Sequence, residues 1–156
     1  MDNVKSYQDD IEGYCIEDLA VGMSASFSKT VTEADILLFS GVSGDTNPVH
    51  LNQVYAERTR FKGRISHGLL SAGFISAVLG TRLPGPGSIY VSQTLQFKAP
   101  VRPGDTVTAR VTVAELVPER NRAVLQTRCF VGDQIVIDGE AVILVPSRGD
   151  TAASRS

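Results

Sequence analysis

The sequence predicts an α+β domain in which one early strand and a helical middle section are followed by four long strands. Three observations carry this reading. Residues Met23 to Val31, apart from Lys29, alternate apolar with small polar side chains, the stretch after Ser66 is apolar around much of a helical circumference, and from Ser88 onward strand-like runs are separated by turn sequences. With 156 residues, 42% of them hydrophobic and 21% charged, the chain is sized for one domain around one core.

The elements follow in order. Met23, Ala25, Phe27 and Val31 alternate with Ser24, Ser26, Ser28 and Thr30, which is the pattern of a half-buried strand. Thr32 followed three residues later by Asp35 resembles a capping box, with Asp standing in for the longer Glu. Ile36, Leu37 and Phe39 then supply an apolar stripe that Gly41 and Gly44 are expected to end. Leu51 to Thr59 can form a short helix. Ser66 is an expected N-cap for a helix running to about Gly80, whose apolar residues Leu69, Leu70, Phe74, Ile75, Val78 and Leu79 require cover on most sides. Strands are expected at Ile89–Phe97, Thr106–Val117, Ala123–Val131 and Gln134–Val145. The turns between the last four elements, Arg102-Pro103-Gly104-Asp105, Pro118 to Asn121 and Gly132-Asp133, favour antiparallel neighbours. Residues 1–13 read as a lead-in and residues 147–156 as a flexible tail.

Composition excludes several classes of function. A net charge of −2, without a Lys/Arg cluster interleaved with aromatics, gives no surface for nucleic acid. Cys15 and Cys129 are far apart and follow no CxxC or Cys/His spacing, so no disulfide framework and no metal site is expected, and a reducing cytoplasm fits. Met1 to Asp10 is polar where an export signal needs an apolar core. The uncharged run from Ile65 to Thr81 is short for a membrane span and contains several Ser and Gly, so a buried helix is expected instead. Arg148-Gly149-Asp150 lies in the tail and carries no adhesion role in such a chain.

The chemistry concentrates in Ser40-Gly41-Val42-Ser43-Gly44-Asp45-Thr46-Asn47-Pro48-Val49-His50. Gly44 permits backbone angles other residues avoid, Pro48 fixes its own φ and pushes Asn47 toward extended geometry, and Asn47 can hold the loop through backbone hydrogen bonds. Such a loop aims Asp45 and His50, five residues apart, at one water molecule. Arg58, Arg60, Lys62 and Arg64 form the one locally basic stretch, readable either as solvated charge or as a contact for substrate phosphates.

The run from Phe39 to His50 resembles the hydratase-2 signature of the MaoC-like (R)-specific enoyl-CoA hydratases, of the short kind that supplies polyhydroxyalkanoate synthesis. The resemblance continues through Ser66-His67-Gly68-Leu69-Leu70, Leu83 to Tyr90, and Phe97-Lys98-Ala99-Pro100-Val101. It implies a single hot-dog domain over residues 14–146, a curved antiparallel sheet wrapped around the apolar helix. It also implies hydration of trans-2-enoyl-CoA to (R)-3-hydroxyacyl-CoA, and the reverse dehydration, without metal or other cofactor. Asp45 and His50 would hold the water, and the sequence leaves open which is the formal base. The Gly68 N–H would receive charge on the thioester oxygen, although Gly68 also reads as a residue that permits close helix-to-sheet packing. Ser76 and Leu79 would bound the acyl pocket, or simply pack in the core. His67 reads as a structural or capping histidine. A chain of one hot-dog unit would pair with a second copy as a homodimer or higher homo-oligomer.

Two other functions use the same scaffold, an acyl-CoA thioesterase and a noncatalytic acyl-thioester-binding subunit. The paired Asp45 and His50 argue for hydration over both.

Overall fold

The computed structural model describes residues 11–153; Met1 to Asp10 of the lead-in and the last three residues of the tail lie outside the described part. Five strands form one sheet: β1 (Ser24–Thr30), β2 (Ile89–Phe97), β3 (Thr106–Val117), β4 (Arg122–Val131) and β5 (Gln134–Leu144). Their spatial order is β1-β3-β4-β5-β2, and every neighbouring pair is antiparallel. The meander β3-β4-β5 sits in the middle, joined by tight turns; Gly132, with φ +57°, occupies the first of two residues between β4 and β5, where a two-residue hairpin favours glycine.

The sheet's inner face follows directly from residue alternation. Val107, Ala109, Val111 and Val113 of β3, with Ala123, Leu125, Thr127 and Cys129 of β4, are all buried, while their neighbours turn outward. Register shifts at Val113/Glu115, Cys129/Phe130 and Tyr90/Ser92 mark β-bulges, which bend strands and increase their twist. Across this curved face lies α4 (Gly68–Thr81), burying Leu70, Ile75, Val78 and Leu79 in the core. This is the hot-dog arrangement, a sheet wrapped on an apolar helix. At Gly139 of β5 a Cβ would stand 1.9 Å from the Thr94 carbonyl oxygen, so a side chain there would force β2 away from β5.

Between β1 and α4 the chain forms three helices, α1 (Glu33–Ser43), α2 (Pro48–Leu51) and α3 (Gln53–Glu57). The capping box at α1 is present: Thr32 Oγ1 accepts from Asp35 N at 3.2 Å and Asp35 Oδ2 accepts from Thr32 N at 2.8 Å. The Lys29 ammonium, followed by that Thr32 N–H, holds the Asp35 carboxyl down at about 2.

Several local expectations change. Gly41 lies inside α1, which ends only at Gly44, and Leu37 faces outward at 59% exposure, so the buried stripe is Ile36, Phe39 and Ser40. The segment Leu51–Thr59 is broken at Asn52, which leaves helical geometry and uses its side chain to cap Tyr55 N at 2.9 Å. The residue before α4 is His67, not Ser66: Ser66 is drawn into backbone pairing with Val101 at 2.7 Å and its hydroxyl turns to the His67 carbonyl. Within the segment expected as a tail, residues 148–153 form a helix, α5, at whose start Asp150 accepts from Ser147 and Arg148 forms an ion pair with Asp18. The Arg148-Gly149-Asp150 triplet is thus part of that helix.

Candidate active site

The site begins where α1 stops. Gly44 takes the left-handed conformation (φ +78°) that a helix terminus favours, and its N–H closes the last turn on Ser40 O at 2.9 Å. The chain then runs out to Asp45. Asn47 caps α2, its Oδ1 accepting from Val49 N at 3.1 Å, and Pro48 occupies the first helical position, where a missing N–H costs nothing. His50 is the third residue of this pinned turn, so the loop's local chemistry fixes the direction of its ring. Asp45 is oriented in turn by Asn47, whose N–H donates to Oδ1 at 3.2 Å.

His50 is buried, and its Nδ1 lies 2.8 Å from Ile65 O. A carbonyl only accepts, so Nδ1 carries the proton and Nε2 keeps a lone pair. Burial pushes the His50 pKa below the usual imidazole value; the Ile65 hydrogen bond opposes this, nearby His67 adds to it, and Asp45 opposes it. His50 is therefore an unprotonated acceptor at neutral pH.

His67 stands beside it. Its ring lies 3.8 Å, centroid to centroid, from His50 and 4.8 Å from Phe39. Its Nε2 is 2.9 Å from the Asp45 carbonyl oxygen and 3.2 Å from Ser40 Oγ. His67 makes no side-chain cap to α4, contrary to the capping role offered by the sequence, because the ring is turned into the site. Sequence spacing suggested no metal pattern, yet the fold gathers Asp45, His50 and His67 so that one ligand-type atom of each lies within 4.8 Å of the others. The hydrogen bonds in place use His50 Nδ1 and His67 Nε2, which leaves one nitrogen of each ring unoccupied.

These three residues form one wall of a cavity of about 420 Å³. The first turn of α4, from Gly68 to Ser71, forms another wall. The Phe97–Val101 connection, with Val136 and Ile137 of β5, supplies apolar lining. Gly68 is the first residue of α4, so its N–H has no partner within the helix. A Cβ there would meet Phe97 Cε1 at 2.5 Å, so glycine lets Phe97 close over the helix start.

Ser76 and Leu79 do not line this cavity. Ser76 is exposed, and Leu79, 2% exposed, belongs to the core. The basic stretch divides as well. Arg64 is committed to Glu33 and to the His50 carbonyl, whereas Arg60 lines the cavity together with exposed Lys98. Arg102 holds the same loop from behind through Phe61 O and Arg64 O. Cys129 is no nucleophile: it donates to Ser71 O at 3.5 Å, and burial pushes its thiol up to about 12.

The family model described as "MaoC like domain" matches residues 19–138. An (R)-specific enoyl-CoA hydratase of Rhodospirillum rubrum is 61% identical over 141 residues, covering 90% of this chain and 98% of the relative. A 3-hydroxybutyryl-CoA dehydratase of Methylorubrum extorquens is 55% identical, covering 85% and 84%. Among solved structures, the (R)-hydratase from A. caviae involved in PHA biosynthesis superimposes with a TM-score of 0.81 at 44% identity, over 83% of this chain and 99% of that one.

Proposed function

The chain belongs to the MaoC-like family, and from that premise we propose that Asp45 and His50 hold the water that it adds across a 2-enoyl thioester. The activity is that of an (R)-specific enoyl-CoA hydratase, interconverting trans-2-enoyl-CoA and (R)-3-hydroxyacyl-CoA. The observation that carries the residue assignment is the His50 tautomer: with Nδ1–H bound to Ile65 O, Nε2 offers a lone pair in the cavity that Asp45 also lines.

In the hydration direction, His50 Nε2 takes a proton as the water oxygen bonds to Cβ. The alkene electron pair moves through Cα toward the thioester oxygen, where the Gly68 N–H at the start of α4 receives the charge. The imidazolium then delivers its proton to Cα while the carbonyl re-forms. Hydroxyl goes to Cβ and hydrogen to Cα, so the water is fully accounted for. Asp45 orients the water and offsets the charge that forms on His50. Both additions come from one wall, hence from one face of the alkene. Gly44, Asn47 and Pro48 serve this step only by holding the loop.

The substrate's phosphates suit Arg60 and Lys98, the cations of the cavity lining. For the acyl chain, Ser71, Ile75 and Leu79 are spaced by four along α4 and share a stripe, placing Leu79 about 12 Å beyond Ser71. A lengthening chain would meet Leu79 last. Leu79→Ala is expected to raise the C8/C4 ratio of kcat/KM by about 10- to 200-fold, at a cost of about 2–5 kcal/mol in stability. Parallel kinetics and melts measure both, and an unchanged ratio removes Leu79 from the acyl path. Ser76 faces outward beside that stripe, and its substitution should alter the ratio less.

The lowered His50 pKa sets the pH response. Below that pKa Nε2 is protonated and cannot act as base, so kcat/KM for hydration should be level at neutral pH and fall only on acidification through a midpoint below the ordinary imidazole value. The same depression makes the His50 contribution to stability present at higher pH and lost as pH falls. A rate that rises on acidification would contradict the base assignment. Chelators should leave turnover unchanged, since every proton transfer is handled by side chains; activity restored only by a divalent ion would overturn this.

A homodimer completes the reading. Leu37, Leu38 and Val42 of α1 are 59%, 66% and 88% exposed, and the edge strand β2 exposes Ile89 and Val91. An open strand edge with apolar side chains favours pairing with a second copy. Light scattering should give twice the mass of one chain. Unpaired Cys15 and Cys129 fit a cytoplasmic location.

The direct test is loss of enoyl-thioester absorbance with crotonyl-CoA and chiral analysis of the product. An (R)-3-hydroxyacyl-CoA is expected; CoA release from butyryl-CoA would instead indicate a thioesterase.

A further inference from the structure

The geometry points to His67 as the residue that positions Asp45, acting through the Asp45 backbone carbonyl rather than on substrate. This rests on the reading of Asp45 and His50 as the water-holding pair. Asp45 itself is exposed, in the short link between α1 and α2, and residues 41–48 around it are all exposed. Its side chain has a local hold from Asn47 N, but the peptide unit needs an anchor to the body of the protein. His67 provides one. It is 2% exposed, lies at the rigid start of α4, and its Nε2 stands 2.9 Å from Asp45 O.

The chemistry of the acceptor fixes the tautomer. Asp45 O has only lone pairs, so Nε2 carries a proton, while Nδ1 is buried and meets no hydrogen-bond partner. Ser40 Oγ, 3.2 Å from the same Nε2, holds the ring from the last turn of α1. Phe39 and His50 pack against the ring and limit its rotation. One imidazole thus ties three parts of the chain together: α1 through Ser40, the loop through Asp45, and α4 through its own backbone. The stacked pair carries opposite tautomers, Nδ1–H on His50 toward Ile65 O and Nε2–H on His67 toward Asp45 O. Released from His67, the Asp45 carboxylate would keep its chemistry but lose its place, and a misplacement on the order of 1 Å costs about 100-fold in rate.

The protein contains only two histidines, His50 and His67, so both can be assigned without ambiguity in an untagged preparation. Imidazole 15N NMR of the wild-type protein should show one Nδ1–H ring and one Nε2–H ring, with His67→Gln identifying the second. Two Nδ1–H rings would overturn the inference, and this measurement needs no variant for its first result. In kinetics, His67→Phe keeps a flat ring but no donor, and should lower kcat by about 100-fold with KM changed less than about threefold. His67→Gln restores an N–H near the position of Nε2 and should recover at least about tenfold of that loss. Turnover close to wild type in a folded His67→Phe protein, or equal loss in the Phe and Gln variants, would refute the positioning role. If Asp45→Asn itself remains active, it is the reading of the water site that fails; if Asp45→Asn is inactive and His67→Phe is active, only the present inference fails.

Discussion

Asp45→Asn and His50→Ala are each expected to lower crotonyl-CoA hydration by at least about 100-fold while leaving the fold intact. Positioned acid and base groups contribute about 100- to 10,000-fold, and both residues line the 420 Å³ cavity. Asn at position 45 keeps the size and the Oδ1 acceptor for Asn47 N but removes the charge that offsets a forming imidazolium. Ala at 50 removes the lone pair and also leaves Ile65 O without its donor, so a melting curve must accompany the kinetics. The two losses should not add, because both residues act on one water; a double variant close to the worse single variant is expected. Near-normal turnover in either folded single variant would remove it from the site.

The second large effect concerns the helix start. Backbone N–H groups cannot be deleted by ordinary side-chain substitution, but Gly68 occupies the first position of α4, where proline is well tolerated. The preceding residue, His67, has φ −59° and ψ 133°, a conformation compatible with a following proline. Gly68→Pro therefore removes the proposed donor. Both Gly68→Pro and Gly68→Ala introduce a Cβ into the space held by the Phe97 ring, so the alanine variant serves as the steric control. Relative to Gly68→Ala, the proline variant should lose about 100- to 1,000-fold in kcat, the range for one oxyanion donor. Equal kcat in the two variants would show that Gly68 matters only for its fit against Phe97.

Much of the fold is legible in the chain because its cues are local. Strand boundaries at Ile89–Phe97 and Thr106–Val117 follow from alternation and flanking turns, and the Thr32/Asp35 box marks α1 within a few residues. The pinned loop from Gly44 to His50 is equally local, since Gly, Asn and Pro each act on their own or the next few peptide units. What escapes a linear reading depends on partners distant in sequence. Ser40 and His67 are 27 residues apart, and nothing near either residue says that one ring will serve both α1 and the Asp45 loop. Arg60 and Arg64 look equivalent in the basic stretch until Glu33, 31 residues away, takes Arg64 out of play. Leu79 looks like one apolar residue among many on α4, and only the folded structure shows that Ser71 lines the cavity while Leu79 packs in the core. The short helix that begins at Arg148 is tied to Asp18, 130 residues earlier.

The central claim is that one water, held between Asp45 and His50, supplies both groups added to the alkene. Hydration of crotonyl-CoA in D2O, with the product analysed by proton NMR for the relative configuration at C2 and C3, measures this most directly. A single diastereomer of the (R)-3-hydroxy product, with deuterium and hydroxyl added to the same face, is expected. Addition to opposite faces, or a mixture of diastereomers formed before any exchange, would contradict it.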